Sequence, residues 1–167
     1  MPDKRINVLK SRENYKVLFV CMGNICRSPT AEAVLRAKAH QAGVSLEVDS
    51  AGTIGYHVGA EPDARAQAAG EARGYDFSGI RARKVQAEDF ERFDFILAAD
   101  RSNLADLKAQ CPPEHLYKVK LLLSFATCGE LEVPDPYYDE KEGFERVLNL
   151  IESACDGLLR AMALQRG

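Results

Sequence analysis

No stretch of the 167-residue sequence is apolar over the ~20 residues that a bilayer span needs, so membrane insertion is not expected. An export signal is missing as well. The first sixteen residues (MPDKRINVLKSRENYK) mix charges of both signs and contain no apolar segment. Residues 1–15 are therefore expected to form a flexible extension, with one domain over 16–167. Excess positive charge is also lacking: 22 basic side chains face 25 acidic ones, a net charge of −3. Nucleic-acid binding needs a clustered basic face, so none is expected. His40, His57 and His115 show none of the paired spacings of tetrahedral metal sites, and neither a metal nor another cofactor is expected. Cys21, Cys26, Cys111, Cys128 and Cys155 are odd in number and suggest no disulfide framework, which suits reduced thiols in a cytoplasm. No repeat, low-complexity tract or Gly/Ser linker divides the chain, which is expected to be a monomer.

What is present is an alternation of short apolar runs and helical patterns. Lys16–Cys21 reads as a strand buried on both faces, ending in a loop. Ser28 suits an N-cap and Pro29 a first helical position, opening a helix over Thr30–Ala42 that Gly43 stops. Leu46–Ser50, Phe93–Ala99 and Leu116–Leu123 are expected strands; Pro62–Arg73 and Ser102–Ala109 are expected helices. In the last helix Phe144, Val147, Leu148, Ile151, Cys155, Leu158, Leu159 and Met162 recur at intervals of three and four. Such alternation predicts an α/β fold, a single three-layer domain with a parallel sheet and helices on both faces. Ligands of such sheets bind beyond the carboxyl ends of strands, which makes the loop after the first strand the prime candidate site.

That loop reads Cys21-Met22-Gly23-Asn24-Ile25-Cys26-Arg27-Ser28-Pro29. Gly23 permits positive φ and Asn24 tolerates the left-handed region, so successive N–H groups can turn inward as an anion nest. The following helix adds its positive end, and Arg27 offers a planar fork that matches two phosphate oxygens. The lysine-bearing nucleotide loop G-x-x-x-x-G-K-[ST] does not occur. The arrangement predicts a cradle for a tetrahedral oxyanion over Met22–Ser28, with Cys21 at its floor as nucleophile. Helix N-termini and neighbouring cations favour thiolates in general, and the Ser28 hydroxyl is placed to donate to one. An inert strand-end cysteine is the alternative.

These residues resemble the low-molecular-weight protein tyrosine phosphatases. The likeness runs on through Asp49-Ser50-Ala51-Gly52, Glu88-Asp89-Phe90, Asp100-Arg101-Ser102-Asn103-Leu104 and Pro134-Asp135-Pro136-Tyr137-Tyr138, nearly the whole chain beyond the first ~15 residues. It implies a four-stranded parallel sheet, no metal, and hydrolysis of phosphotyrosine through a phosphocysteine, with inorganic phosphate released.

Departure of a phenoxide calls for a nearby carboxylic acid. Asp135 is the candidate, because Pro134 and Pro136 exclude a regular helix and stiffen its loop; an acidic turn residue is the alternative. The resemblance assigns it as general acid, and as base for the water that cleaves phosphocysteine. It also assigns Ile25, Tyr56, Tyr137 and Tyr138 to the pocket, where aromatic rings pack on a phenyl ring. Packing or surface roles remain the alternative for the tyrosines. Ser50 matches a serine that supports Asn24, with a strand-end serine satisfying backbone as the alternative. Ile80 stands where the family often has a histidine bonded to the cradle, so the loop must be stiffened otherwise or be less rigid. Cys26, five residues from Cys21 in a curled loop, is expected to form a reversible disulfide with it on oxidation; filling space beneath the loop is the alternative. Two other activities compete. Thiol-coupled arsenate reduction needs a relay of further cysteines, and Ser78–Arg92 contains none. Phosphoarginine hydrolysis is disfavoured by Ile25, where such relatives tend to carry threonine, and by Tyr137 and Tyr138.

Overall fold

Alternate side chains of the first strand enter different cores, and the layered architecture follows from that. The computed structural model describes residues 14–166. Strand β1 (Tyr15–Cys21) begins one residue before the expected domain start, and nearly all of the expected extension lies outside the described residues. Tyr15, Val17, Phe19 and Cys21 face one core, whereas Leu18 and Val20 face the other. Burying each such Val, Leu or Phe side chain contributes about 1.5–3 kcal/mol.

β1 pairs in parallel with β2 (Leu46–Gly52) on one side and β3 (Phe95–Ala98) on the other; β4 (Val119–Leu121) follows at the edge. The strand order is β2-β1-β3-β4. The chain crosses over β1 between β2 and β3, so the carboxyl end of β1 is the switch point where such sheets bind ligands. Helices α1 (Arg27–Gln41) and α5 (Lys141–Arg166) supply the first core with Val34, Leu35, Phe144, Leu148, Ile151 and Leu158. The opposite face is covered by α3 (Asp89–Arg92) and α4 (Arg101–Gln110) through Phe90 and Leu107. The short α2 (Ala64–Glu71) adds Ala66 and Ala69 to the first core.

Three local expectations are corrected. The fourth strand spans only Val119–Leu121, between 3-10 turns at Pro113–Lys118 and Leu122–Phe125. Pro113 opens the first turn, and in the second Leu122 and Leu123 turn into the core. The helix expected over Pro62–Arg73 is shorter because Asp63 caps it, its carboxylate accepting from the Arg65 N–H at 2.8 Å. Ser28 is not the N-cap of α1. The helix starts at Arg27 with Cys26 at the cap and no side-chain cap bond, since the Ser28 hydroxyl is engaged in the preceding loop. No helix among the described residues is long and apolar enough to cross a membrane.

Candidate active site

Cys21 ends β1 opposite Gly52 of β2, and the next strand's exit loop pins the start of the cradle. Thr53 N–H donates to the Cys21 carbonyl at 3.0 Å and Ile54 N–H to the Met22 carbonyl at 3.1 Å. A Cβ on Gly52 would lie 2.7 Å from that Met22 oxygen, so only glycine permits the approach. Of the two residues that the sequence offered for positive φ, Asn24 adopts it, at 59°, and Gly23 does not. Gly23 serves another need: a Cβ there would sit 3.0 Å from the His57 ring.

Asn24 holds the curl with every polar atom of its amide. Its Nδ2 donates to Ser28 Oγ at 2.8 Å and to Ser50 Oγ at 3.0 Å, and its Oδ1 accepts from Arg83 N–H at 3.0 Å. Ser50 in turn donates to Glu32 Oε1 at 2.6 Å. Burial raises the pKa of the Glu32 carboxyl, outweighing its bonds from Ser50 and Arg36. Ile80 takes no part; it packs against Ala33 and Phe77. The stiffness that a histidine would add there is supplied by Ser50, Glu32 and the Arg83 backbone.

Among the described residues, the N–H groups of Gly23, Asn24, Ile25 and Cys26 have no intramolecular acceptor. Arg27 adds a second set of donors. Its side chain is buried, with Nη1 donating to Asp100 Oδ2 at 2.7 Å and to the Val133 carbonyl at 3.0 Å. Nε is buried and has no partner among the described residues. Burial works against the Arg27 charge, but Cys21 and Asp100 more than offset it and raise its pKa. Unsatisfied buried donors are costly, and an oxyanion would satisfy these.

Cys21 Sγ lies 3.0 Å from Ser28 Oγ and 3.5 Å from Ser28 N–H. Asp135 Oδ2 is 3.9 Å from Arg27 Nη2, and Oδ1 accepts from Tyr137 N–H at 3.1 Å. Cys21, Arg27 and Asp135 open onto a cleft of about 380 Å³ lined also by Met22, Gly23, Ile25, Cys26, Ile54, Tyr56, His57, Tyr137 and Tyr138. Tyr56 and His57 meet edge to face at 4.9 Å, as do Tyr137 and Tyr138 at 5.0 Å. Tyr138 is 94% exposed and Tyr137 38%, so the pocket's outer wall is wet. Cys26 shares the cleft; burial, with Asp63 adding to it, pushes its thiol up to about 12.

The structure thus gathers Cys21, Arg27, Asp135, the Met22–Ser28 loop, Ile25, Tyr56, Tyr137 and Tyr138 around one cleft, with Ser50 behind it. Sequence reasoning missed Ile54, His57, Asp100 and Glu32. Asp100 had a readable signal, because a buried arginine requires a carboxylate and Asp100 also caps α4 by accepting from Asn103 N–H at 2.8 Å. Glu32 had none, lying within an alanine-rich helix.

Known proteins resemble this chain in sequence and fold. A family model described as low molecular weight phosphotyrosine protein phosphatase matches residues 16–166. The low molecular weight protein-tyrosine-phosphatase of Streptomyces coelicolor is 45% identical over 157 residues, covering 90% of this chain and 95% of that protein. The structure of a protein tyrosine phosphatase from Entamoeba histolytica superposes with a TM-score of 0.87 at 40% identity, covering 90% of this chain and 98% of that one. That of a drosophila arginine phosphatase superposes with a TM-score of 0.82 at 37% identity, over 87% and 96% of the two chains.

Proposed function

The chain belongs to the low molecular weight phosphotyrosine protein phosphatase family, and from that premise we propose how its own residues divide the work. It is a protein-tyrosine-phosphatase, a phosphoric monoester hydrolase. Cys21 is the nucleophile. The Ser28 hydroxyl, which already accepts from Asn24, directs its proton to the sulfur and stabilises the thiolate. The phosphoryl group lies in the cradle, its oxygens taking the N–H groups of Gly23–Cys26 and the free edge of the Arg27 guanidinium. Sulfur attacks phosphorus as the bond to the phenolic oxygen breaks, and Asp135 delivers a proton to that oxygen. In the second step Asp135 takes a proton from water, which displaces Cys21 and releases inorganic phosphate.

The observation that carries this reading is the shared Arg27 guanidinium: buried, fixed by Asp100 and Val133, unsatisfied at Nε, and 3.9 Å from Asp135. The substrates are phosphotyrosine proteins, whose ring enters between Ile25 and the tyrosines. A monomer in a reducing cytoplasm is the setting that the sequence suggests for this activity. The test is to quench turnover of a phosphotyrosine peptide in alkali, where an S-phosphate ester survives, and map the phosphorylated residue. Phosphate on Cys21 supports the mechanism, and phosphate elsewhere rejects it. Because the arginine phosphatase shares the fold, phosphoarginine is assayed in parallel; faster turnover of it would reverse the substrate assignment.

A further inference from the structure

The segment that carries Asp135 is held at two points, and the second has no part in the mechanism above. Upstream, Val133 N–H donates to the Ala99 carbonyl at 2.8 Å and the Val133 carbonyl accepts from Arg27. Downstream, Arg65 Nη2 donates to the Tyr137 carbonyl at 2.8 Å. Asp135 stands midway, two residues from each tether. Pro134 and Pro136 have no N–H to offer. The other bonds of the segment are internal, from Tyr137 N–H to Asp135 and from Asp139 N–H to the Pro136 carbonyl. Among the described residues, Arg65 makes the only hydrogen bond from elsewhere in the chain to residues 134–139.

Arg65 is itself aimed. Its Nε and Nη2 reach Asp63 Oδ1 and Oδ2 at 3.1 and 2.9 Å, a two-pronged pair. Its guanidinium carbon lies 5.6 Å from the Tyr137 ring centre and 4.9 Å from that of Phe144. Asp63 N–H donates to the Ile25 carbonyl at 2.7 Å, so the same short segment grips the rim of the cradle. Cradle and acid loop are thereby referenced to one another through Asp63 and Arg65.

We propose that Arg65 is a positioning residue for proton transfer, setting Asp135 over the leaving-group oxygen by holding the Tyr137 carbonyl against the Asp63–Ile25 edge of the cradle. The proposal rests on the assignment of Asp135 as general acid. A surface ion pair of this kind contributes little to stability, so its effect falls on geometry. Misplacement of a catalytic group by about 1 Å costs up to about 100-fold in rate.

The experiment measures kcat/KM, which reports the steps through leaving-group departure, on phenyl phosphate and on p-nitrophenyl phosphate. Wild type, Arg65→Ala, Arg65→Lys, Asp135→Ala and the double variant Arg65→Ala/Asp135→Ala are compared. The poor leaving group needs the proton and the good one hardly does. Arg65→Ala should lose about 10- to 100-fold on phenyl phosphate and stay near wild type on p-nitrophenyl phosphate. Arg65→Lys, which keeps one donor but loses the fork, should fall between. The double variant should be no worse than Asp135→Ala alone, because the two residues serve one step. Equal losses on both substrates, no loss on phenyl phosphate, or additive losses in the double variant would each overturn the proposal. If Asp135→Ala discriminates between substrates and Arg65→Ala does not, Arg65 alone is misassigned. If Asp135→Ala does not discriminate, the general-acid assignment fails and this proposal falls with it.

Discussion

The Ser28 hydroxyl lies 3.0 Å from the Cys21 sulfur while accepting from Asn24 Nδ2 at 2.8 Å. One lone pair is thus committed to the loop, and the hydroxyl proton is left for the Cys21 sulfur or for the Ala51 carbonyl at 3.5 Å. The contact to the proposed nucleophile is therefore anchored by the residue that shapes the cradle. Nucleophile and anion site are tuned as one unit.

Cys21→Ser is expected to keep phosphate binding and abolish turnover, since a serine hydroxyl in this setting supplies no ready anion. Arg27→Lys should be severely impaired, because an ammonium cannot replace a fork that serves Asp100, Val133 and the substrate at once. Phosphate affinity and aryl-phosphatase rate are the readouts. Substantial activity in Cys21→Ser would overturn the mechanism.

Asn24 combines a left-handed backbone with three hydrogen bonds, and two variants separate these. Asn24→Gly keeps the conformation and loses the bonds; Asn24→Ala loses both. Both should lower kcat/KM. Denaturant unfolding should find the alanine variant less stable than the glycine variant by about 1–2 kcal/mol, the cost of a left-handed residue with a Cβ. Equal stabilities would mean that the loop relaxes to another curl.

The layered sheet was legible because its information is local and periodic. Lys16–Cys21 is apolar at every position from Val17 on, which marks a strand buried on both faces, and α5 repeats its apolar positions at helical spacing. That Cys21, Arg27 and Asp135 share one cleft was legible from a loop motif and a Pro-Asp-Pro triplet. What stayed hidden depends on partners distant in sequence. Glu32 reaches Ser50 eighteen residues away, and Arg65 reaches Tyr137 seventy-two residues away. Neither leaves a local trace. The fourth strand was over-extended because Leu122 and Leu123 are apolar for the core rather than for the sheet.

Asp135→Ala should damage hydrolysis of poor leaving groups far more than good ones. Loss of a general acid costs about 10²–10⁴-fold in rate. A phenol acidic enough to leave unprotonated escapes most of that penalty. Equal losses on an ordinary aryl phosphate and on one with a strongly acidic phenol would reject the role.

Glu32 carries a raised pKa from burial, which gives stability a definite pH dependence. Above the ordinary carboxyl value of 4.5 the folded state holds a proton that the unfolded state has released. That contribution is present at low pH and is lost as pH rises through the folded value. Glu32→Gln removes the titration while its amide oxygen still accepts from Ser50. Thermal midpoints at about pH 5 and about pH 8 should show the variant gaining on wild type at the higher pH. A variant that instead falls further behind wild type at the higher pH would show that the ion pair with Arg36 dominates.

Cys26 is expected to protect Cys21 from irreversible oxidation. Peroxide converts the Cys21 thiolate to a sulfenic acid; attack by the Cys26 sulfur then forms the disulfide and releases water. Both thiols are free and line the same cleft. The Cys26 thiol stands at about 12, so its thiolate, the attacking form, grows about tenfold for each pH unit below that value. Closure should therefore compete better with over-oxidation at about pH 8.5 than at about pH 6.5, leaving more activity recoverable by thiol reductant after peroxide. Cys26→Ser should hydrolyse substrate nearly as wild type does, yet recover poorly at either pH. Peptide mapping of oxidised wild type should show the Cys21–Cys26 link, which requires Cα atoms within about 4.4–6.8 Å or a loop that yields. Full recovery of Cys26→Ser would remove its protective role.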